Sequence, residues 1–523
     1  MVIYGLMTNR KLLKSTGVIS FATVTSRILG FVRDILIAGR FGTGIFADAF
    51  FVAFRIPNML RDMVGEGAMT AAIVPVLTEY RHTRTNEEYW EVARVILNLM
   101  LMVLVALSLA GVFFAPVVVR LIAPGFSEDP DKFRTTVTLT RLIFPYLLLI
   151  GMVAYSKGVL NSLHYFTSPE FAPVVLNVTL IVSLLILCPV IGINGLVAGV
   201  LAGGVLEVML QVLPLKNRGF RFGGKFTLAH PVAKRIGRLL LPRAMGTAVY
   251  QLSIFVDTVL ASLGWIVGPG GVAALYYSNR LVQLPLAVFG VSLATAALPK
   301  MTKEVALNDM AQLKSTIYFS LRTVFTIMMP AAAGLAILSK DIIRTLFERG
   351  QFTEYSTGIT SYALFFYSFG LCGYAGIKIL VGVYYAMGDT KTPVKTASAG
   401  LLVNLLLNLA LMWPLKVGGL ALATSVAATL NFIMLYALLS KKIGELGTKR
   451  LLVSFIKISI ATVIMGIFTF MLASKLLDKT YGSVECFIRL MGIIAISGAI
   501  YAFSCYFLRL EGVKSLFSRI KRA

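Results

Sequence analysis

The sequence is poor in the residues that build most catalytic and metal centres. Only 4 of its 523 residues are cysteine and 3 are histidine. Cys188, Cys372, Cys486 and Cys505 lie in apolar runs without metal-ligand spacing, which reads as small buried hydrophobes. His82, His164 and His230 are isolated and fall in expected loops. No Walker loop is present and no nucleophile–base pair sits in a motif, so the chain hydrolyses no ATP and is not read as an enzyme. Charge is also scarce, at 14%, against about 25% in soluble domains. Acids are scarcest: 24 against 49 basic residues, a net charge of +25. The bases lack the aromatic interleaving of a nucleic-acid surface, so no nucleic acid partner is expected. Alternating segments of about ten residues are missing, which excludes a transmembrane β-barrel.

Long hydrophobic runs are what the sequence has instead. Hydrophobic residues make up 57% of it, and the mean hydropathy is +0.83. Windows of about 20 apolar residues recur, the length that crosses a bilayer as a helix. The expectation is an all-α polytopic membrane protein with fourteen transmembrane helices. The opening "MVIYGLMTNRKLLK" is basic and leads into a full span, unlike a cleavable signal. The second apolar stretch, 46–80, is too long for one crossing and is expected to break near Gly65 and Gly67.

Orientation follows from the loops. Arg10, Lys11 and Lys14 precede the first span, and a basic segment between Lys216 and Arg238 follows the sixth. Lys441, Lys442, Lys449 and Arg450 follow the twelfth; Arg509, Lys514, Arg519, Lys521 and Arg522 close the chain. An even span count puts all four on one side, so both termini are expected in the cytoplasm.

The halves of the chain resemble each other at an offset of about 224 residues, as transporter repeats do. "GVLNSLHYFTSP" from Gly158 answers to "GVYYAMGDTKTP" from Gly382, setting Pro169 against Pro393. Pro75 falls against Pro299 and Arg120 against Arg344, while Arg55 meets Arg280 with one residue of slip. The offset spans six helices, an even number, so the repeats are expected to be parallel, with a pathway between them. The expected domains are an N-lobe (1–215), a basic linker (216–238), a C-lobe (239–442), and two further helices with a basic tail (443–523). Gly195, Gly199 and Gly203, four apart, read as a helix-packing seam.

Charges inside apolar spans cost roughly 2.5–3.5 kcal/mol each on insertion scales, so they normally face protein or water. Here they concentrate at the start of each half: Arg27, Arg33, Asp34, Asp48, Arg55, Arg61, Asp62 and Glu66, then Arg243, Asp257, Arg280 and Lys378. Arg27 and Asp34 are seven apart and share a helix face, with Arg33 flanking it; Asp48 and Arg55 repeat that spacing. Such faces line a wet cavity or pair between spans. Arginine further suits a two-pronged grip on phosphate.

At this point the residues resemble a family. "SRILGFVRD", "DAFFVAFRIPNMLR", "GEGAMTAAIVPVLTEY", "APGF", "LIFPYLLLI" and "YYSNRLVQLPLAVFGVSLATAALP" are similar to the MurJ (MviN) lipid II flippases of the multidrug/oligosaccharidyl-lipid/polysaccharide exporter superfamily. The resemblance implies two six-helix lobes plus a final pair, and alternating access of a central arginine-lined cavity in the bacterial inner membrane. It implies as partners lipid II (undecaprenyl-pyrophosphate bearing a disaccharide-pentapeptide) and membrane lipid, with the cell-wall synthesis machinery beside them. The family's arginines fall on Arg27, Arg33, Arg61 and Arg280, and its cavity polar positions on Ser26, Asp34, Asp48 and Glu66. Arg33, Arg61 and Arg280 would hold the pyrophosphate; Arg27 with Asp34, and Asp48 with Arg55, would tie the first two spans. The last two helices would guide the polyprenyl tail. A sodium site of one relative falls at Asp257, Asn404, Asn408 and Thr424. Asparagine replaces an aspartate at 408, which weakens such a site; no other cofactor is expected. Competing readings are a flippase for another polyprenyl-linked oligosaccharide, a multidrug or cation antiporter, and a non-transporting scaffold. The extra helices and the arginines argue against the antiporter.

Overall fold

A computed structural model describes residues 2–61, 69–221, 223, 231–477 and 482–510; for 2–16, 69–71, 233, 239–248, 250 and 483 it describes the backbone alone. Asp62, Gly65, Glu66, Gly67 and His230 lie outside the described residues, as does the side chain of Arg243. The described chain is helical, without strands, and divides into two compact units, Met1–Val259 and Leu260–Ala523.

The first unit contains α1 (Val2–Phe41), α2 (Ile45–Leu60), α3 (Met69–Thr83), α4 (Asn86–Phe113), α5 (Ala115–Ile122), α6 (Pro130–Ile143), α7 (Tyr146–Ser162), α8 (Thr167–Ile186), α9 (Cys188–Ile191), α10 (Ile193–Lys216) and most of α11 (Pro231–Ala261). The second holds α12 (Gly264–Val267), α13 (Gly271–Pro285), α14 (Ser292–Ala306), α15 (Met310–Ile337), α16 (Ser339–Phe347), α17 (Glu354–Ser368), α18 (Leu371–Ala386), α19 (Lys391–Ile443), α20 (Thr448–Leu476) and α21 (Ser483–Phe507). His82 lies in the last turn of α3 rather than in a loop, because the helix runs on to Thr83.

Among the described residues nine helical stretches are long and apolar enough to cross a membrane, or ten if the bent pair α17–α18 counts as one span. Their outer faces are oily: Phe113 is 76% exposed and Val190 81%. Soluble proteins rarely leave such surfaces open, whereas acyl chains cover them readily. This is a multi-pass helical membrane protein.

Local chemistry sets the helix starts. The Thr85 hydroxyl accepts the Glu88 N–H while the Glu88 carboxylate accepts the Thr85 N–H, a reciprocal cap on α4. Asp129 caps α6 by accepting from the backbone N–H groups of Asp131 and Lys132, with Pro130 at the first turn.

The glycine seam packs α10 on α8. A Cβ at Gly199 would stand 2.7 Å from that of Ser183, and one at Gly203 2.6 Å from Leu176 Cδ1. Ser183 Oγ donates to the Gly195 carbonyl across the seam.

Several local features recur in both units. The α7–α8 corner has His164 at φ 55°, with Tyr165 N–H bonded to Leu160 O at 2.9 Å; the α18–α19 corner has Gly388 at φ 71°, with Asp389 N–H bonded to Tyr384 O at 2.9 Å. Gly192 (φ 59°, ψ −138°) links α9 to α10, and Lys416 (φ 49°, ψ −130°) breaks α19 in the same way. Just beyond each, a glycine lies against the preceding turn: Gly195 on Leu187 and Cys188, Gly419 on Leu411 and Met412. Arg120 and Arg344 both lie in the last turn of a short helix, α5 and α16.

Candidate functional site

In the first unit Ser26, Gly30, Arg33 and Asp34 recur at helical spacing along α1, which packs against α8. Gly30 admits the facing Asn177, whose Nδ2 would stand 3.5 Å from a Cβ there. The Asn177 amide then bridges the two helices. Its Nδ2 donates to the Ser26 carbonyl at 2.9 Å and to the Ser26 hydroxyl at 3.3 Å, and its Oδ1 accepts from Arg33 Nη1 at 2.9 Å. Arg33 turns its other side onto Asp34, with Nε and Nη2 at 3.0 and 2.7 Å from one carboxylate oxygen. Arg33 is 8% exposed and Asp34 1%. Buried charges need this kind of pairing and hydrogen bonding.

The sequence pattern assigned Asp34 to Arg27. The structure gives Asp34 to its neighbour Arg33, while Arg27 is exposed and makes no ion pair among the described residues. The shared face is real, but seven residues separate the two Cα atoms by about 10 Å along the helix, and Arg33 reaches the carboxylate first.

Asp48 lies in the first turn of α2, where the helix dipole favours an anion. It is 1% exposed and pairs with Lys132 of α6 at 2.7 Å. The Lys132 ammonium also stands 4.0 Å from the centre of the Phe126 ring, a favourable cation–π placement. Arg55 is half-buried on α2, Arg61 is half-buried just past its end, and Asp257 is half-buried on α11.

In the second unit Arg280, on α13, is exposed. Its Nε and Nη2 donate to the Tyr276 hydroxyl at 3.3 and 2.9 Å, and the guanidinium lies 5.1 Å from that ring's centre. Lys378 is exposed on α18. Asn408 Nδ2 donates to Asn404 Oδ1 at 3.1 Å, Asn404 Nδ2 to Thr424 Oγ1 at 3.2 Å, and Thr424 Oγ1 to Leu420 O at 2.9 Å. Three of the four proposed sodium ligands therefore form one hydrogen-bonded file. Its oxygens are the hard donors sodium takes, but the Asn404 oxygen is occupied by an amide N–H, and a carboxylate at 408 would not have occupied it so. No group of three His, Cys, Asp or Glu gathers among the described residues.

Outside the spans, Asp389 closes the α18–α19 corner. Lys442 Nζ donates to its Oδ2 at 2.6 Å, and Thr392 donates to it through both N–H and hydroxyl, at 3.0 and 2.9 Å. The Lys442 bond first, then those from Thr392, hold this carboxyl well below the usual carboxylate range.

Sequence reasoning missed Asn177, whose signal was a lone amide inside an apolar helix, and Lys132, which directly follows the acidic run "SEDPD". It also passed over Glu207 in "GGVLEVMLQ", an intramembrane carboxyl that is a functional candidate by default.

Comparisons with known proteins agree on one kinship. The family model described as lipid II flippase MurJ matches residues 37–492. The probable lipid II flippase MurJ of Haemophilus influenzae is 35% identical over 85% of this chain and 89% of its own length. That of Vibrio cholerae is 36% identical over 82% and 83%. Among solved structures, a lipid II flippase MurJ in an inward closed conformation matches with a TM-score of 0.80 at 28% identity, covering 94% of this chain and 99% of its own. An inward-facing multidrug resistance MATE family transporter matches in fold, with a TM-score of 0.69 at 15% identity over 81% and 96%.

Proposed function

This chain belongs to the MurJ family of lipid II flippases, and from that membership we propose how its own residues do the work. It moves lipid II, the undecaprenyl-pyrophosphate-linked peptidoglycan precursor, from the cytoplasmic to the outer leaflet of the bacterial inner membrane by alternating access. It is a transporter, not an enzyme. Each unsatisfied polar group in hydrocarbon costs several kcal/mol, so a head group carrying charge, sugars and peptide crosses unaided too slowly for growth. An arginine-lined wet cavity lowers that cost while the polyprenyl tail stays in lipid.

The observation that carries the assignment of roles is the contrast among the arginines. Arg27 and Arg280 are exposed, whereas Arg33 is buried and engaged by Asp34 and Asn177. Arg27, Arg61 and Arg280 meet the pyrophosphate; Arg33, Asp34 and Ser26 hold α1 against α8, and Asp48 holds α2 against α6. Arg55 and Glu66 complete the polar lining. Guanidinium suits phosphate through paired, charge-assisted hydrogen bonds.

The chain is two parallel six-helix repeats, residues 1–215 and 239–442, joined by the basic linker and followed by the last two of fourteen helices. The recurring corners at His164 and Gly388, and at Gly192 and Lys416, support that reading. Both termini face the cytoplasm on the loop charges, and cell-wall synthesis enzymes are proposed neighbours. Sodium coupling through Asp257, Asn404, Asn408 and Thr424 is a weaker proposal, because it requires the amide file to open.

Depletion of the protein should leave lipid II on the cytoplasmic face, and Arg280→Gln should fail to restore its outward movement. Normal flipping by Arg280→Gln at wild-type abundance would remove Arg280 from the site.

A further inference from the structure

A second polar cluster sits inside the first unit, and none of the roles above uses it. Glu207, on α10, is 2% exposed, and its Oε2 has no hydrogen-bond partner. One turn on, Gln211 is wholly buried, and neither its Nε2 nor its Oε1 is bonded. Tyr146, at the start of α7, is equally buried with an unbonded hydroxyl. The two helices pack through Gly204, where a Cβ would stand 2.9 Å from the Tyr146 ring. Buried polar groups in native proteins are nearly always satisfied, so each such exception calls for an explanation.

The charges around the cluster are few. Among the described residues, the Arg61 guanidinium is the charged group that acts on Glu207, and Glu207, Arg61 and Arg33 act on Tyr146. Glu207 Oε2 takes no hydrogen bond from Arg61. Among the described residues, the other ionisable side chains that face inward from these elements are paired elsewhere, Lys132 of α6 with Asp48 and Lys157 of α7 with Glu170 of α8. At the seam, α8 presents Leu176, Thr179, Leu180 and Ser183. The buried face of α6 is Thr136, Val137, Leu139, Thr140 and Ile143, while its Arg134 and Arg141 are exposed. Farther along α7, Tyr155 is bonded to Ala93 O. Cys188 of α9 lies beside Gly195, about 18 Å along α10 from Glu207.

We propose that Glu207 is a proton-binding site of the first unit, neutral while Arg61 stands off and ionised when Arg61 closes on it. A carboxylate buried without a partner is strongly disfavoured, so the neutral acid fits the geometry present here. As Arg61 approaches, the Glu207 O–H bond breaks, the proton passes to water, and the carboxylate pairs with the already charged guanidinium; uptake reverses each event. Tyr146 and Gln211 add one unbonded hydroxyl and one unbonded amide to the cluster. The matching position in the second unit is Asn431, whose Oδ1 is also buried without a bond but which cannot titrate. The device therefore belongs to the first unit alone. Its consequence for cargo rests on the flippase reading: proton release draws Arg61 away from the pyrophosphate.

The test uses the full chain in lipid nanodiscs. Infrared difference spectra between about pH 5 and about pH 9 should contain a titrating carboxylic C=O band in the wild type that Glu207→Gln removes. A wild-type spectrum without a titrating band from Glu207, or with a carboxylate that responds to sodium instead of pH, overturns the site. Lipid II affinity should change about tenfold across that titration in the wild type and be flat in Glu207→Gln. An unaltered pH dependence in the variant overturns the coupling. Failure of lipid II to bind either protein is a failure of the flippase reading, and the infrared band then decides the proton site by itself.

Discussion

Replacing Asn177 with alanine removes a side chain that joins Ser26 and Arg33 of α1 to α8. It makes two bonds at 2.9 Å and a weaker one at 3.3 Å. A hydrogen bond to a charged group contributes about 1.5–3 kcal/mol in folded proteins. Between membrane helices the average is nearer 0.6 kcal/mol, with a maximum of about 1.7, because the unfolded helices also find partners. Two good bonds at the upper membrane value, less what relaxation recovers, give about 2–3 kcal/mol. The loss concentrates on Arg33, which at 8% exposure has little water to turn to. Reversible unfolding in mixed micelles, or steric trapping across α1 and α8, reads the change directly. Ser26→Ala is the internal control: it removes the 3.3 Å contact alone and should cost less than about 0.5 kcal/mol. Asn177→Asp should retain an acceptor for Arg33 and fall between the two. An Asn177→Ala protein within about 0.5 kcal/mol of wild type refutes the claim that this bridge holds α1 in place.

Lys132→Met should destabilise the first unit by up to about 3–5 kcal/mol, because Asp48 stays buried and loses the ammonium paired with it at 2.7 Å, while Asp48→Asn with Lys132→Met should recover part of the loss; a coupling energy near zero in that cycle sinks the assignment. Gly195→Ala pushes a Cβ to 2.7 Å from the Cys188 nitrogen, and Gly419→Ala meets the Leu411 carbonyl in the same way. Both should lower the yield of monodisperse protein, since overpacking against backbone costs about 1–3 kcal/mol or more, and normal size-exclusion profiles for both would contradict the packing. Asp389 is held below its ordinary range, so its contribution is complete above that range and lost only as pH falls through the depressed value. Hydrogen exchange at the α18–α19 corner should therefore stay slow at about pH 4 and quicken in stronger acid. In Asp389→Asn the corner should be looser than in the wild type until strong acid brings the two together, and loss of wild-type protection by about pH 5 counts against the pair.

Periodicity and composition were enough for the helical class and for the seam at Gly195, Gly199 and Gly203, because both depend on local spacing. The importance of Arg33 and Asp34 could be read from charge placed in an apolar span, whereas Ser26 came from the family resemblance. Their partners could not. Asn177 is 144 residues from Arg33, and Lys132 is 84 from Asp48. A helical wheel ranks neighbours on one helix and is blind to which foreign side chain arrives. Arg27 illustrates the limit: its face is correctly assigned, yet the ion pair goes to the arginine whose reach is shorter. Glu207 was legible in principle, as a carboxyl between glycines and leucines, but its meaning depends on Tyr146, which comes from another helix.

The corner at Lys416 has a price that its twin avoids. Glycine at 192 adopts φ 59° freely, whereas a lysine at φ 49° and ψ −130° crowds its Cβ against the nitrogen of the next residue. Such a residue stores roughly 1–3 kcal/mol. Swapping the two should thus be lopsided: Lys416→Gly relaxes a tensed bend, while Gly192→Lys tenses a relaxed one. Half of the molecule works with a loaded spring where the other half has a plain pivot.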